Sequence, residues 1–166
     1  RYNKAMQKHK PLHIGIIGTG FGKIVARICK AIDPTAKIFL SGNDYEKTKR
    51  IVAEFSFDGD YKNWEALISD PKIDLVVIAT PGYLLRQMFD LAVAHKKHIL
   101  VEKPVAATAA DIGYMKQLTK QYKKIVVVNH CARYHPIVRY LRQSIQEGKL
   151  GTILTIRTTT FGVGLG

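Results

Sequence analysis

Short apolar runs alternate along the chain with segments whose apolar residues recur at helical spacing. Five apolar runs predict strands, at residues 12–17, 36–40, 74–80, 98–101 and 125–129. Five helices are predicted between or beside them, at residues 20–31, 45–55, 63–69, 84–95 and 112–122. A regular alternation of strand and helix predicts an α/β fold with a doubly wound parallel sheet of the Rossmann type.

The end of the chain has a different pattern. An apolar stripe predicts a helix over residues 136–146, and a threonine-rich, β-branched run predicts a further strand over 152–160. Trp64 falls on the apolar face of the helix at 63–69 and is predicted to lie in the core. Gly59 and Asp60 are predicted to form the turn that leads into that helix.

A glycine-rich turn joins the first strand to the first helix. Gly18 would allow a tight turn, and Gly20 would let a pyrophosphate approach the backbone at the amino end of the helix. The third position of the pattern G-x-G-x-x-G is Lys23, and a glycine stands one place earlier. An ordinary strand-to-helix loop is therefore an alternative, but the βαβ unit around the turn favours a dinucleotide site. Its candidate residues are Gly18, Thr19, Gly20, Phe21 and Gly22.

The residues after the second strand bear on the choice between NAD and NADP. An acidic side chain at this point would bond the ribose hydroxyls of NAD and repel a 2′-phosphate. The chain has Ser41, Gly42 and Asn43 here instead, and Asp44 stands where the N-cap of the next helix belongs. Because Lys47 follows closely, a 2′-phosphate can be accommodated. We therefore expect NADP, with NAD as the second choice.

Charge and composition narrow the classes of partner. The formal net charge is +13, from 26 lysines and arginines against 13 acidic residues. These basic residues are spread along the chain, without the motifs of nucleic-acid-binding modules, so nucleic acid is not an expected partner.

No apolar run approaches the roughly 20 residues that cross a bilayer, and the first residues lack the apolar block of a signal peptide. We expect a cytoplasmic protein with no membrane partner, and the two cysteines indicate neither a disulfide nor a metal site.

Two further motifs lie at the ends of later strands. Thr80 and Pro81 follow the strand at 74–80, where a nicotinamide would lie in an open α/β sheet. Glu102, Lys103 and Pro104 follow the strand at 98–101. Together with the first glycine turn, these motifs resemble the Gfo/Idh/MocA family of NAD(P)-dependent oxidoreductases. The stretch at 41–43 is similar to the NADP-using glucose-fructose oxidoreductase branch of that family.

The resemblance implies a function and a domain plan. Lys103 would hold a substrate hydroxyl and relay the proton that accompanies hydride transfer, and Glu102 would orient Lys103 or bond the nicotinamide ribose. The substrate would be a small molecule such as a sugar or polyol, and the full-length protein would be a homo-oligomer. Residues 1–10 would be a basic lead-in, 11–150 the dinucleotide-binding domain and 151–166 the start of a substrate domain that is otherwise missing.

Two other functions are compatible with the sequence. A non-catalytic, NADP-responsive regulatory or binding module would use the same cofactor site without a substrate domain. A basic polyanion binder would use the net charge, although no motif supports it. Because most of the family's substrate domain is missing, the chain would be either a fragment or a naturally short relative of the family.

Overall fold

The computed structural model describes residues 10–159 and contains one parallel sheet of six strands. The strands are β1 (His13–Ile17), β2 (Lys37–Ser41), β3 (Gly59–Tyr61), β4 (Leu75–Ile78), β5 (His98–Val101) and β6 (Val126–Val128). The helices are α1 (Phe21–Ile32), α2 (Tyr45–Glu54), α3 (Trp64–Ser69), α4 (Gly82–Ala94), α5 (Ala109–Thr119) and α6 (Pro136–Gln146), with a 3₁₀ helix at Cys131–Tyr134. The predicted doubly wound Rossmann fold is confirmed.

The order of the strands across the sheet is β3-β2-β1-β4-β5-β6. Each half grows outward from the centre, so the chain reverses direction across the sheet between β1 and β4. In open α/β sheets a crevice forms at this reversal, outside the carboxyl ends of the strands. The topology therefore places the candidate residues after β1, β2 and β4 around one crevice.

The two faces of the sheet are covered by separate apolar cores. On one face, α1 and α2 pack through Val25, Ala26 and Ile51 against the inner strands. On the other face, α3, α4 and α5 pack against the sheet around Leu67 and Phe89, which are both fully buried. Because both faces are covered, the central strands are almost wholly apolar, as is typical of parallel sheets.

Two expectations from the sequence are wrong. Gly59 and Asp60 do not form a turn but begin the edge strand β3, which pairs with β2 from Phe39 to Ser41. Three residues without an apolar run are too few to be recognised from a pattern. The strand predicted at 152–160 is not formed within residues 152–159. A β-branched run becomes a strand only beside a partner strand, and no described segment pairs with it.

The chain divides into two compact units, one ending at Asn129 and the other beginning at His130. The first contains the whole sheet, and the second contains the 3₁₀ helix and α6. The predicted lead-in lies outside the described residues up to position 9, as does the end of the chain from residue 160. Among the residues that are described, none of the helices is long and apolar enough to span a membrane.

Candidate functional site

A cleft of about 620 Å³ opens at the carboxyl ends of β1, β2 and β4. It brings together eight of the residues that the sequence singled out: Gly18, Thr19, Gly20, Ser41, Gly42, Asn43, Thr80 and Pro81. They come from three loops that lie far apart in sequence. The crevice expected from the strand order is thus built from the predicted motifs.

Gly18 forms the turn after β1 in a conformation that other residues rarely adopt. Its φ is +113°, and its N–H donates to the Ser41 carbonyl at 2.8 Å. A Cβ atom at this position would lie 2.4 Å from the carbonyl oxygen of Ala79. Only glycine fits, and the turn ties the ends of β1, β2 and β4 together around the cleft.

Gly20 precedes α1 and borders open space. A Cβ atom built at Gly20 would meet no atom within 4 Å, and no side chain caps the first N–H groups of α1. The first turn of α1 also has no acidic residue. Uncapped N–H groups and the positive end of the helix dipole attract an anion, so this end of the cleft fits a phosphate group.

Gly22 stands one place before the third glycine position of the dinucleotide pattern and allows the same close packing of helix on strand. It is buried, and a Cβ atom there would come within 3.1 Å of Ile16 on β1. The third glycine of the dinucleotide pattern is required for close packing of helix on strand. Phe21, in contrast, is exposed and does not line the cleft. The contact with a cofactor that the sequence predicts for Phe21 would therefore be made by its backbone and not by its side chain.

The end of β2 forms the second wall of the cleft. Ser41 is fully buried, and its Oγ has no hydrogen-bond partner among the described residues. A Cβ atom at Gly42 would lie 2.6 Å from Thr19 Cγ2 and 2.9 Å from Thr48 Oγ1, so the loop is closely packed. A buried hydroxyl without a partner is costly. Because Ser41 also borders the cleft, its hydroxyl is a candidate hydrogen-bonding group for a ligand there.

No carboxylate lies at the end of β2 itself. Asp44 caps α2, and its Oδ1 accepts from the Lys47 backbone N–H at 2.9 Å, as expected from the sequence. Lys47 is exposed and is not among the residues that line the cleft. Lys62 and Glu65 line it instead, and the sequence analysis identified neither. Both flank the start of α3, which follows the unpredicted strand β3.

Trp64 is in part the core residue that the sequence predicted. It is half-buried, packs against the core on the α3 face and also lines the cleft. Tyr83, Leu84 and Met88 from α4 line the cleft as well. The Thr80 hydroxyl contacts Met88 Sδ at 3.5 Å. The sequence did not identify Trp64, Leu84 or Met88 as part of the cleft. That α3 and α4 begin at the same edge of the sheet is known only from the strand order, because the lengths of the connections before these helices vary between folds.

The Glu-Lys-Pro motif lies at the carboxyl end of β5, on the same edge of the sheet. Glu102 is buried and accepts a hydrogen bond at Oε1 from the Asn129 side-chain amide, beside the end of β6. Lys103 is exposed, and its peptide bond to Pro104 is cis. Neither Glu102 nor Lys103 lines the cleft between β1, β2 and β4. Within residues 10–159, no cluster of histidine, cysteine and carboxylate side chains could hold a metal ion.

Comparison with known proteins places this geometry in a family. Residues 12–130 match the model of the GFO_IDH_MocA oxidoreductase family, described as having an NAD-binding Rossmann fold. The chain belongs to the Gfo/Idh/MocA family. Gfo/Idh/MocA proteins bind a nicotinamide cofactor, so the first unit of this chain is an oxidoreductase's NAD-binding domain.

Individual relatives agree with the family model. Levoglucosan dehydrogenase of Pseudarthrobacter phenanthrenivorans is 31% identical over 158 residues, which cover 89% of this chain and 40% of that protein. Myo-inositol 2-dehydrogenase of Thermotoga maritima is 25% identical over 150 residues, or 90% of this chain and 45% of that protein. A levoglucosan dehydrogenase structure, in complex with NADH and levoglucosan, matches with a TM-score of 0.79 and 28% identity over 87% of this chain and 41% of its own. This Gfo/Idh/MocA chain thus spans less than half the length of these relatives.

The residues present fit the dinucleotide of the Gfo/Idh/MocA family on observations of this structure alone. An anion-attracting helix end stands beside Gly20, where a side chain is absent and space is open. An unpartnered buried hydroxyl stands at Ser41 on the opposite wall. The cleft between them is of a size that small-molecule sites commonly have.

Proposed function

We propose that this chain is the NADP-binding domain of an oxidoreductase that transfers a hydride between the nicotinamide and a hydroxyl- or carbonyl-bearing carbon of a sugar, polyol or related small molecule. The observation that supports NADP is the end of β2. Ser41 and Asn43 face the cleft there, and the first acid, Asp44, is occupied as a helix cap. Lys62 in the lining supplies a positive charge for a 2′-phosphate, but Glu65 in the same lining supplies a negative one, so the case for NADP rests on the end of β2.

The substrate class is taken from relatives. Levoglucosan dehydrogenase and myo-inositol 2-dehydrogenase are named for a sugar derivative and a cyclic polyol. The solved levoglucosan dehydrogenase contains NADH, so NAD is the competing cofactor and the choice between the two must be tested directly.

Each group of residues has a proposed task. The N–H groups that follow Gly20 hold the pyrophosphate, while Ser41 and Asn43 bond the ribose and its phosphate. Thr80 and Pro81 line the nicotinamide side of the cleft. When bound, the nicotinamide gives or accepts the hydride.

The proton that accompanies hydride transfer is assigned to Lys103. Its exposed ammonium stands at the carboxyl end of β5, on the edge of the sheet where the cleft opens. An amine in reach of a substrate hydroxyl can accept or return that proton as a general base or acid. Glu102, held by Asn129, limits the conformations of the loop that presents Lys103.

The first experiment is a titration with NADPH and with NADH, followed by the fluorescence of Trp64, which lines the cleft. We expect micromolar binding of NADPH and weaker binding of NADH. Tighter binding of NADH would overturn the NADP assignment, and no response to either would overturn the cofactor site.

Gly20→Ala tests the site without disturbing the core. A methyl group at this position meets no protein atom within 4 Å but occupies the space through which the pyrophosphate must approach. We expect a loss of NADPH affinity of roughly tenfold or more, with a retained cooperative unfolding transition. Gly113→Ala is the matched control, because its Cβ also meets open space but lies on α5, away from the cleft.

Asn43→Asp tests the preference for NADP. A carboxylate at this point of the lining would repel the 2′-phosphate and accept hydrogen bonds from an unphosphorylated ribose. The ratio of NADPH to NADH affinity should fall by roughly tenfold. An unchanged ratio would show that the ribose end does not lie beside Asn43.

Turnover separates an enzyme from a regulatory module. In the full-length gene product, screened with sugars and polyols, Lys103→Ala should lower kcat by roughly a hundredfold or more while NADPH binding is kept. Cofactor binding without turnover of any substrate would favour the regulatory alternative.

A further inference from the structure

A second cleft lies at the opposite edge of the sheet from the cofactor site. It has a volume of about 430 Å³ and is bordered by the segments that lead into β1, β4, β5 and β6. In a parallel sheet these segments share the amino-terminal edge, whereas the cofactor cleft lies at the carboxyl edge. The two clefts are therefore separate sites on the first unit.

The lining of the second cleft is strongly basic. Its ionisable side chains are Lys10, Lys96, Lys97, Lys124, His95, His98 and Asp74. Four lysines thus face a single carboxylate. Asp74 is itself engaged, because its Oδ2 accepts from the His13 backbone N–H at 3.0 Å. A concave site with this excess of positive charge attracts anions.

One of the lysines is built into the floor of the cleft. Lys97 is only 4% exposed, and its Nζ donates to the carbonyls of Asp70 and Ile73 at 2.7 Å each. An ammonium has three N–H donors, so these two bonds leave one for another acceptor. Burial lowers the pKa of Lys97 and nearby Lys124 adds to this effect, while the two neighbouring aspartates oppose it. An anion in the cleft would favour the charged form.

Two neighbours of Lys97 are positioned to contribute as well. The Nδ1 of His98 lies 3.1 Å from the Ile125 N–H and accepts from it, so the ring proton of the neutral imidazole is on Nε2, which is then a donor. Lys96 has a φ of +55°, in the left-handed region that favours glycine. Lys96 thus places a positive charge beside the cleft at a position whose left-handed backbone conformation would favour glycine.

We infer that this amino-edge cleft, formed by Lys96, Lys97, Lys124 and His98, binds a small anion with several negative charges, of the phosphate class. The cleft volume of about 430 Å³ suits a small molecule rather than the backbone of a nucleic acid, which needs an extended basic surface. This site is independent of the proposed cofactor function, because it lies at the other edge of the sheet.

The test uses inorganic pyrophosphate as the probe and NADPH at saturation to occupy the cofactor cleft. In a ¹⁵N-labelled sample, pyrophosphate should shift the backbone amide signals of Lys96, His98 and Lys124, and orthophosphate should do so more weakly. Shifts confined to Gly18–Gly22, or lost when NADPH is added, would overturn the inference.

Variants decide whether the cluster or the overall charge binds the probe. Lys96→Gly removes one charge and relieves the left-handed backbone, so it should fold at least as well as the parent chain. Lys96→Gly and Lys124→Gln should each weaken pyrophosphate roughly three- to tenfold. Lys120→Gln, an exposed lysine outside the cleft lining, should have no effect. An equal effect of all three, or displacement of pyrophosphate by a DNA duplex at the same amides, would overturn a small-anion site.

Discussion

The side-chain amide of Asn129 donates a hydrogen bond to Oε1 of Glu102, across the ends of β6 and β5. The Asn129 backbone N–H also donates to the Val101 carbonyl at 2.8 Å, so the residue extends the ladder while its side chain holds the carboxylate. Glu102 is 7% exposed, and a buried carboxylate is costly without a donor. The hydrogen bond therefore stabilises the first residue of the Glu-Lys-Pro motif.

Asn129→Asp should convert this contact into a repulsion. Two carboxylates would face each other at the ends of the strands, so we expect the free energy of unfolding at pH 7 to fall by about 1–3 kcal/mol. Carboxylates that face each other share a proton well above the usual carboxyl pKa, so at about pH 4 one carries a proton that is hydrogen-bonded to the other, and the deficit should be smaller than at pH 7. Urea unfolding at both pH values measures the change.

Asn63→Asp is the matched control for this substitution. Asn63 is the N-cap of α3, and its Oδ1 accepts from the Ala66 N–H at 2.8 Å. Aspartate is an equally good N-cap, so stability at pH 7 should change by no more than about 0.5 kcal/mol. Equal losses in both variants would contradict the assignment of the effect to the Glu102 contact.

Ser41→Ala should separate stability from cofactor affinity. The Ser41 hydroxyl is fully buried without a partner among the described residues, so its removal should leave the unfolding midpoint unchanged or raise it. If the hydroxyl bonds the cofactor, NADPH affinity should fall by roughly three- to twentyfold. Thermal unfolding with and without NADPH measures both quantities. A variant that binds NADPH as well as the parent chain would show that the hydroxyl faces no ligand.

Apolar periodicity made most of the fold predictable, because buried strands and amphipathic helices impose it. The strand at 98–101 and the helix at 136–146 have the predicted limits. The edge strand β3 was not predictable, since a short edge strand is defined by hydrogen bonds to β2 rather than by its own side chains. The prediction of a strand at residues 152–159 was wrong for the converse reason. Their composition favours a strand, but no partner strand is described beside them.

The candidate site was predictable where backbone geometry determines the residue type. Gly18 is required by its positive φ and the approach of Ala79, and glycines of this kind are visible in a sequence. Trp64 and Lys62 were missed as parts of the cleft because their position depends on the connection through β3. In the sequence, Lys47 follows closely after the residues expected at the ribose end. In the structure it is part of α2, which begins at Tyr45, and it does not line the cleft.

Gly18→Ala should cost more stability than Gly20→Ala, although both replace a glycine of the same turn. At Gly18 the new methyl group would lie 2.4 Å from the Ala79 carbonyl oxygen at a φ of +113°. We expect a loss of at least about 2 kcal/mol in the free energy of unfolding, as is usual for strained backbone with a steric clash. At Gly20 the methyl group meets open space, and the cost should be much smaller. Equilibrium unfolding in urea compares the two, and equal losses would contradict the described turn.

Asp58 connects three segments of the first unit and should make its stability depend on pH. Its Oδ1 accepts from Lys37 Nζ at 2.8 Å, and its Oδ2 accepts from the Ile38 N–H at 2.9 Å and from Lys30 Nζ at 3.3 Å. Burial alone would raise the pKa of the Asp58 carboxyl, but these hydrogen bonds outweigh burial and lower it.

A carboxyl whose pKa is lowered by folding stabilises the native state above its unfolded pKa of about 4, and this contribution is lost as the pH falls through the lowered value. Asp58→Asn should therefore lower the free energy of unfolding by about 1–2 kcal/mol at pH 7, and the deficit should diminish below pH 4 as the parent chain becomes protonated. Glu46→Gln, which removes the exposed pair with Lys49 and the acidic residue of the first turn of α2, should cost only about 0.5 kcal/mol. A deficit at Asp58→Asn that stayed constant down to pH 2 would show that shape, rather than charge, is what this side chain contributes.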